Sequence, residues 1–177
     1  MAGEGALPPP FLRRGNAGYW DQDEGEGCVL KWLDMPPVWL AGFAALAWWQ
    51  KTWFPRGSFG PVWADLLGGL LVGGGLILLG LAIFEMRRHR TTVIPHRNAD
   101  RLVTSGIFKR SRNPIYLGDT MILAGLILYW DAVLALPLVP VFVWVIERRF
   151  IVPEEARLRQ RFTTAFARYE RETRRWV

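Results

Sequence analysis

Leu66–Phe84 reads LLGGLLVGGGLILLGLAIF, 19 residues without a charge in a chain of 177. At 1.5 Å of rise per residue such a run covers about 28 Å as a helix, close to the thickness of a bilayer's hydrocarbon core. A soluble domain of this length would break its apolar residues into helix- or strand-spaced faces. Three more segments approach the same character: Pro36–Phe54, Pro114–Trp130 and Ala132–Val152, the last two separated by little more than Asp131. With the central run extended to Val62–Phe84, the chain reads as an all-α integral membrane protein of about four spans. The last two would form a tight helical hairpin.

Outside the spans the charges are unevenly distributed. The segment Glu85–Asn113 holds eight basic residues, Arg87, Arg88, Arg90, Arg97, Arg101, Lys109, Arg110 and Arg112, and Glu147–Val177 holds nine. The link between the first two spans has Lys51 and Arg56 alone. Four crossings put residues 1–35, the loop 85–113 and the C-terminal tail on one side, and the positive-inside rule makes that side cytosolic. Parity and charge therefore agree. The formal net charge of +6 is explained by anionic headgroups, at about 1 kcal/mol per basic residue, and no nucleic-acid motif is present. Residues 1–35, with Pro8-Pro9-Pro10 and the acids Asp21, Asp23, Glu24 and Glu26, read as a disordered tail. They lack the order of a cleavable signal peptide.

Beyond Pro153 a 3-4 spaced stripe of Leu158, Phe162, Ala165, Phe166, Tyr169 and Trp176 predicts a basic amphipathic helix over 153–176. Cys28 is the only cysteine and the histidines are His89 and His96, so we expect no disulfide and no metal centre. No strand pattern carries a GxGxxG, and there is no Walker loop. Gly69 and Gly73 form a GxxxG pair whose default meaning is close helix packing.

Two regions hold candidate chemistry. In DRLVTSGIFKRSRNPIYLG, Asp100–Gly118, Asn113 before Pro114 is a strong helix start, and helix N-termini suit carboxylates. In ERRFIVPEE, Glu147–Glu155, the pair Glu154–Glu155 beside Arg148 and Arg149 is open to two readings: interfacial ion pairing, or a carboxylate for a ligand amine or ribose with an arginine for an anionic substrate. Asp119, five residues into the third span, either lines a polar site or sits shallow near the cytosolic face.

From Thr91 to Trp176, the elements LVTSGIF, RNPIYLG, a membrane hairpin, EE, Leu158, Phe162 and Tyr169 resemble the integral-membrane methyltransferases around isoprenylcysteine carboxyl methyltransferase and phosphatidylethanolamine N-methyltransferase, with their bacterial relatives. The resemblance implies S-adenosyl-L-methionine at the cytosolic ends of the last spans. It places cofactor contacts on Leu102, Val103 and Phe108, then on Asn113, Pro114, Ile115 and Tyr116, and Arg112 falls on the first position of the family's Arg-His-Pro-x-Tyr pattern. The family's glutamate falls on Glu154 or Glu155; we place the cofactor role on Glu154 and leave Glu155, with Arg148 and Arg149, as the candidate catalytic residues. Two positions depart from the pattern. Asn113 stands for a histidine and Phe108 for a tyrosine, and asparagine cannot act as a general base.

The resulting expectation is a multi-pass methyltransferase of a bacterial inner membrane with both termini cytosolic. Its substrate would be small or lipophilic, and its partners membrane lipids, with no obligate protein partner and no nucleic acid. The competing readings are an NADPH-dependent reductase related to sterol reductases, and a non-enzymatic protein that binds anionic lipid through its basic loops.

Overall fold

Proline at the first helical positions costs no hydrogen bond, because the N–H it lacks has no acceptor within the helix there. Pro36 opens α1 (Pro36–Trp53) and Pro114 opens α3 (Pro114–Tyr129) in this way. Between them lies α2 (Trp63–Arg88). The computed structural model describes residues 35–55, 57, 59–60, 62–89 and 102–177. The expected disorder of 1–35 falls outside this set except at Met35, as do Arg90, His96, Arg97 and Arg101. The described residues are all helix, turn and extended connection, without a strand.

After α3 comes a 3-10 turn, Val133–Ala135, followed by α4 (Leu138–Ile146), a π-helical segment Glu147–Ile151, and α5 (Val152–Glu172). A helix stands where the sequence predicts the third span, to within one residue. Elsewhere the boundaries move. α2 continues four residues past Phe84, so Glu85, Arg87 and Arg88 are helical rather than part of a loop. The fourth segment becomes helical only at Leu138, because Pro137 and Pro140 lack donors and are tolerated only before or within a first turn. No break separates that segment from the amphipathic helix; the π turn joins them. α5 itself departs from helical geometry at Phe162 (φ −117°, ψ 23°) and ends at Glu172, so Trp176 leaves the stripe.

α2 alone among the described helices is long and apolar enough to cross a membrane by length and composition; α3 is apolar but shorter, at 16 residues. α2 and α3 pack antiparallel through glycines seven residues apart on each. A Cβ built at Gly68 would lie 2.8 Å from the Gly125 carbonyl oxygen, and one at Gly75 would lie 2.7 Å from that of Gly118. The GxxxG pair expected at the contact is not there: Gly69 and Gly73 have open space where a Cβ would point. Helical phase explains the difference, since residues seven apart share a face and Gly69 and Gly73 sit on the next one.

The opposite face of α3 carries Tyr116, Asp119, Leu123 and Ile127, all buried. Tyr116, Leu123 and Ile127 enter one core with Ala47 of α1, Phe142 and Ile146 of α4, and Phe150. Phe43 meets Phe142 edge-to-face at 5.3 Å between ring centres, a favoured aromatic geometry. The two ends of the bundle differ in chemistry. Where α1 ends, α2 begins and α3 ends, Trp48, Trp49, Trp53, Phe54, Trp63 and Tyr129 are exposed. Asp131, in the left-handed region at φ 55°, ties that end together. It accepts from the Phe59 N–H at 2.6 Å and meets Lys51 Nζ at 3.4 Å. The other end is basic, with Arg87, Arg88 and Lys109–Arg112.

Candidate functional site

At the basic end the segment that begins at Leu102 packs against α2 and the start of α3. Val103 and Phe108 are buried with Ala82, against Met86, Ile107 and Ile115. Gly106 makes the approach possible: its φ is +57°, and a Cβ there would lie 2.8 Å from the Glu85 carboxylate carbon. Glu85 is itself buried, accepts a short hydrogen bond from the Ser105 hydroxyl, and lies 3.4 Å from His89 Nε2. His89 Nε2 is 2.7 Å from the same hydroxyl. This carboxylate, hydroxyl and imidazole pin the LVTSG segment to the end of α2.

Ile115 and Tyr116 leave the start of α3 in different directions. Ile115 covers the Val103–Phe108 cluster, whereas the Tyr116 hydroxyl donates to Glu154 Oε2 at 3.0 Å across 38 residues of sequence. The predicted start of α3 at Asn113 holds, but its side chain does not cap the helix. Its amide instead donates to the Arg175 carbonyl at 3.3 Å. Pro114 beside it is fully buried. Of the predicted cofactor residues, Leu102 alone lines the open cleft of about 840 Å³ between this segment and α5, beside Thr104, Lys109, Thr164 and Tyr169. Tyr116 and Glu154 lie outside its described lining.

Glu154 and Glu155 prove to have separate surroundings. Glu155 is 4% exposed and is held by arginines. Arg175 grips it through two hydrogen bonds, of 3.2 and 2.7 Å, and also donates to Glu147; Arg112 and Arg159 stand 3.6 and 3.8 Å away. Arg112, which the family pattern places against the cofactor, also donates to Glu170 at 2.9 Å. The predicted substrate arginines are exposed at the π segment, Arg148 over the Trp144 ring and Arg149 over that of Trp39, each 5.6 Å from the ring centre.

Sequence reasoning gave no role to Arg175, one basic residue among many in the tail. Residues after Glu172 fold back as a strap: the Arg112 N–H donates to the Arg174 carbonyl at 3.0 Å, and Trp176 packs on the core of Tyr116 and Phe150. The Tyr169 hydroxyl donates to the Phe108 carbonyl at 2.6 Å, and burial holds that phenol protonated, above its ordinary range.

The hydrogen bond from Arg159 holds the Glu170 carboxylate below its usual range, with Arg112 adding to it. A carboxylate whose folded value is lowered contributes stability above its unfolded pKa, and that contribution fades as pH falls below it. Glu170→Gln should therefore lower the melting temperature at pH 7, with the difference from the parent shrinking below about pH 4. Thermal melts across pH test this, and a constant difference down to pH 3 would contradict it.

A model of the phospholipid methyltransferase family matches residues 63–165, from the start of α2 into α5. No curated protein and no solved structure matches the chain. The match contains the glycine-packed pair α2–α3, the LVTSGIF and RNPIY segments, and both Tyr116 and Glu154. By that match, over more than half its length, the chain belongs to the phospholipid methyltransferase family, a family of membrane-associated methyltransferases.

Proposed function

We propose that the protein is an S-adenosyl-L-methionine-dependent methyltransferase of the bilayer, with four spans and its site at the cytosolic, basic end. The observation that carries this reading is the 3.0 Å contact between Tyr116 and Glu154. It joins two sequence regions that the family resemblance singles out separately. The exposed tryptophans at the opposite end match an interfacial aromatic belt, and the arginines at this end match a cytosolic face. α3 and the shorter α4 would cross with α2 as a bundle, their polar ends covered by the strap and by α5.

The residues present fit such a cofactor. Glu154 offers a carboxylate oriented by a phenol, suited to an ammonium or to ribose hydroxyls, and Asp119 has a buried oxygen without a partner among the described residues. Val103, Phe108 and Ile115 form an apolar cluster beside the start of α3, and Leu102 lines the cleft next to it. When bound, the cofactor supplies an electrophilic methyl on sulfur. The chain's own work is positional: the protein holds the acceptor in line and excludes water. Glu155, fixed by Arg175 and Arg112, holds the junction of the π segment and α5, and through it the neighbouring Glu154. Arg148 and Arg149 are the proposed contacts for an anionic group on the substrate. An acceptor that must lose a proton finds no base in Asn113.

Calorimetric titration of the full chain in nanodiscs tests the reading. S-adenosylmethionine or S-adenosylhomocysteine should bind, and label should pass from the methyl donor into a membrane extract. Absence of binding by both nucleosides would overturn it. Glu154→Gln and Tyr116→Phe should each weaken cofactor binding roughly tenfold to a hundredfold, as expected for loss of a hydrogen bond to a charged group. Normal affinity in both variants would refute the site assignment.

A further inference from the structure

Asp119 is the one acidic residue in α3 and occupies its core-facing stripe, between Tyr116 and Leu123. It is 4% exposed, and its Oδ2 has no hydrogen-bond partner among the described residues. A charged carboxylate in such surroundings is unfavourable unless it takes up a proton or a cationic partner arrives. Among the described residues none reaches it: α3 and α4 contain no basic residue, Lys51 of α1 is engaged with Asp131, and Arg157 of α5, close enough to act electrostatically on Tyr116, makes no hydrogen bond to the Asp119 Oδ2. Three residues along a helix stay on the same face and move about 4.5 Å along the axis. Asp119 thus lies one turn further from the basic end than Tyr116, on the side of α3 that carries the Tyr116–Glu154 contact.

We infer that Asp119 is the counter-ion of an onium cation held in the core of the bundle one turn beyond Tyr116. This rests on the methyltransferase reading above and assigns to that site a charge requirement. Two sources supply such a cation: the sulfonium of the methyl donor, and the ammonium of a lipophilic amine acceptor. A carboxylate retained without an internal partner is a feature of binding rather than of stability. Removing its charge should leave the fold intact or make it more stable.

The test compares the full chain with Asp119→Asn and Asp119→Glu in nanodiscs. S-adenosylmethionine and S-adenosylhomocysteine differ by one methyl and one positive charge at sulfur. Dodecylamine and dodecanol differ by a cationic headgroup. With the sulfonium as source, Asp119→Asn weakens S-adenosylmethionine at least tenfold and S-adenosylhomocysteine less than twofold, and Asp119→Glu restores part of the loss. With the ammonium as source, both nucleosides bind as in the parent, and dodecylamine loses at least tenfold while dodecanol does not. In either case the melting temperature of Asp119→Asn stays level or rises. Unchanged discrimination in both ligand pairs overturns the inference, as does a lowered melting temperature with all four ligands weakened equally. A parent chain that binds neither nucleoside sinks the methyltransferase reading, and the alkyl pair still decides the role of Asp119.

Discussion

Gly125→Ala is expected to cost about 2 to 3 kcal/mol and to lower the melting temperature by roughly 5 to 10 °C. A methyl group at Gly125 would lie 2.6 Å from the Gly68 carbonyl oxygen and 2.8 Å from the Val72 backbone nitrogen. Both are backbone atoms of α2, so no rotamer change relieves the overlap. The helices must separate, and the second contact, Gly75 against Gly118, loosens with the first. Within a bilayer this close approach is the main source of helix association, since lipid tails are as apolar as the helices and burial between them gains little. Gly69→Ala is the control. Its Cβ meets nothing within 4 Å, and alanine is a better helix former by up to about 1 kcal/mol. That variant should be level with the parent or more stable. Thermal unfolding followed by tryptophan fluorescence separates the two, and equal losses at Gly125 and Gly69 would refute the packing.

Arg175→Ala should have the second largest effect. Its guanidinium bridges Glu147, at the start of the π segment, and Glu155, in the first turn of α5. Loss of one partner of a buried pair leaves the other charge uncompensated. Glu155 keeps Arg112 and Arg159, and the Arg175 side chain is 32% exposed, so the expected cost is about 1 to 3 kcal/mol, below that of a fully buried pair. The change also frees the strap from Thr173 onward. Hydrogen exchange should rise at Arg112, whose N–H is bonded to the Arg174 carbonyl, and, on the proposed function, affinity for S-adenosylmethionine should fall through the loosened π segment that leads to Glu154. Arg175→Lys should recover little, because a single ammonium cannot match a fork that meets two carboxylates. Full recovery by lysine, or unchanged exchange at Arg112 in Arg175→Ala, would show that the clamp is not what holds the strap.

Apolar runs, prolines and charge blocks made the helices readable from the chain alone. α1 and α3 begin at their prolines, and α3 ends within a residue of its apolar run. Tyr116 and Glu154 were legible as site candidates through family resemblance, although 38 residues separate them. The separate partners of Glu154 and Glu155 were not. A π turn has a wider spacing than 3.6 residues, so helical phase counted along the sequence is lost across Glu147–Ile151. The α2–α3 contact was misread for a related reason: every glycine in that run looks alike until the partner helix selects a face.

What the sequence determined by itself was the class: helices forced by apolar length, basic segments set apart from a link with few charges, and membership in a methyltransferase family through short motifs in order. What the tertiary structure decided was the assignment of individual charges. It gave Glu155 to Arg175, Glu154 to Tyr116, and left Asp119 in the core with one oxygen unpaired among the described residues. The physical reason is that a charge's role depends on what lies within a few ångströms of it, and those neighbours come from distant parts of the chain.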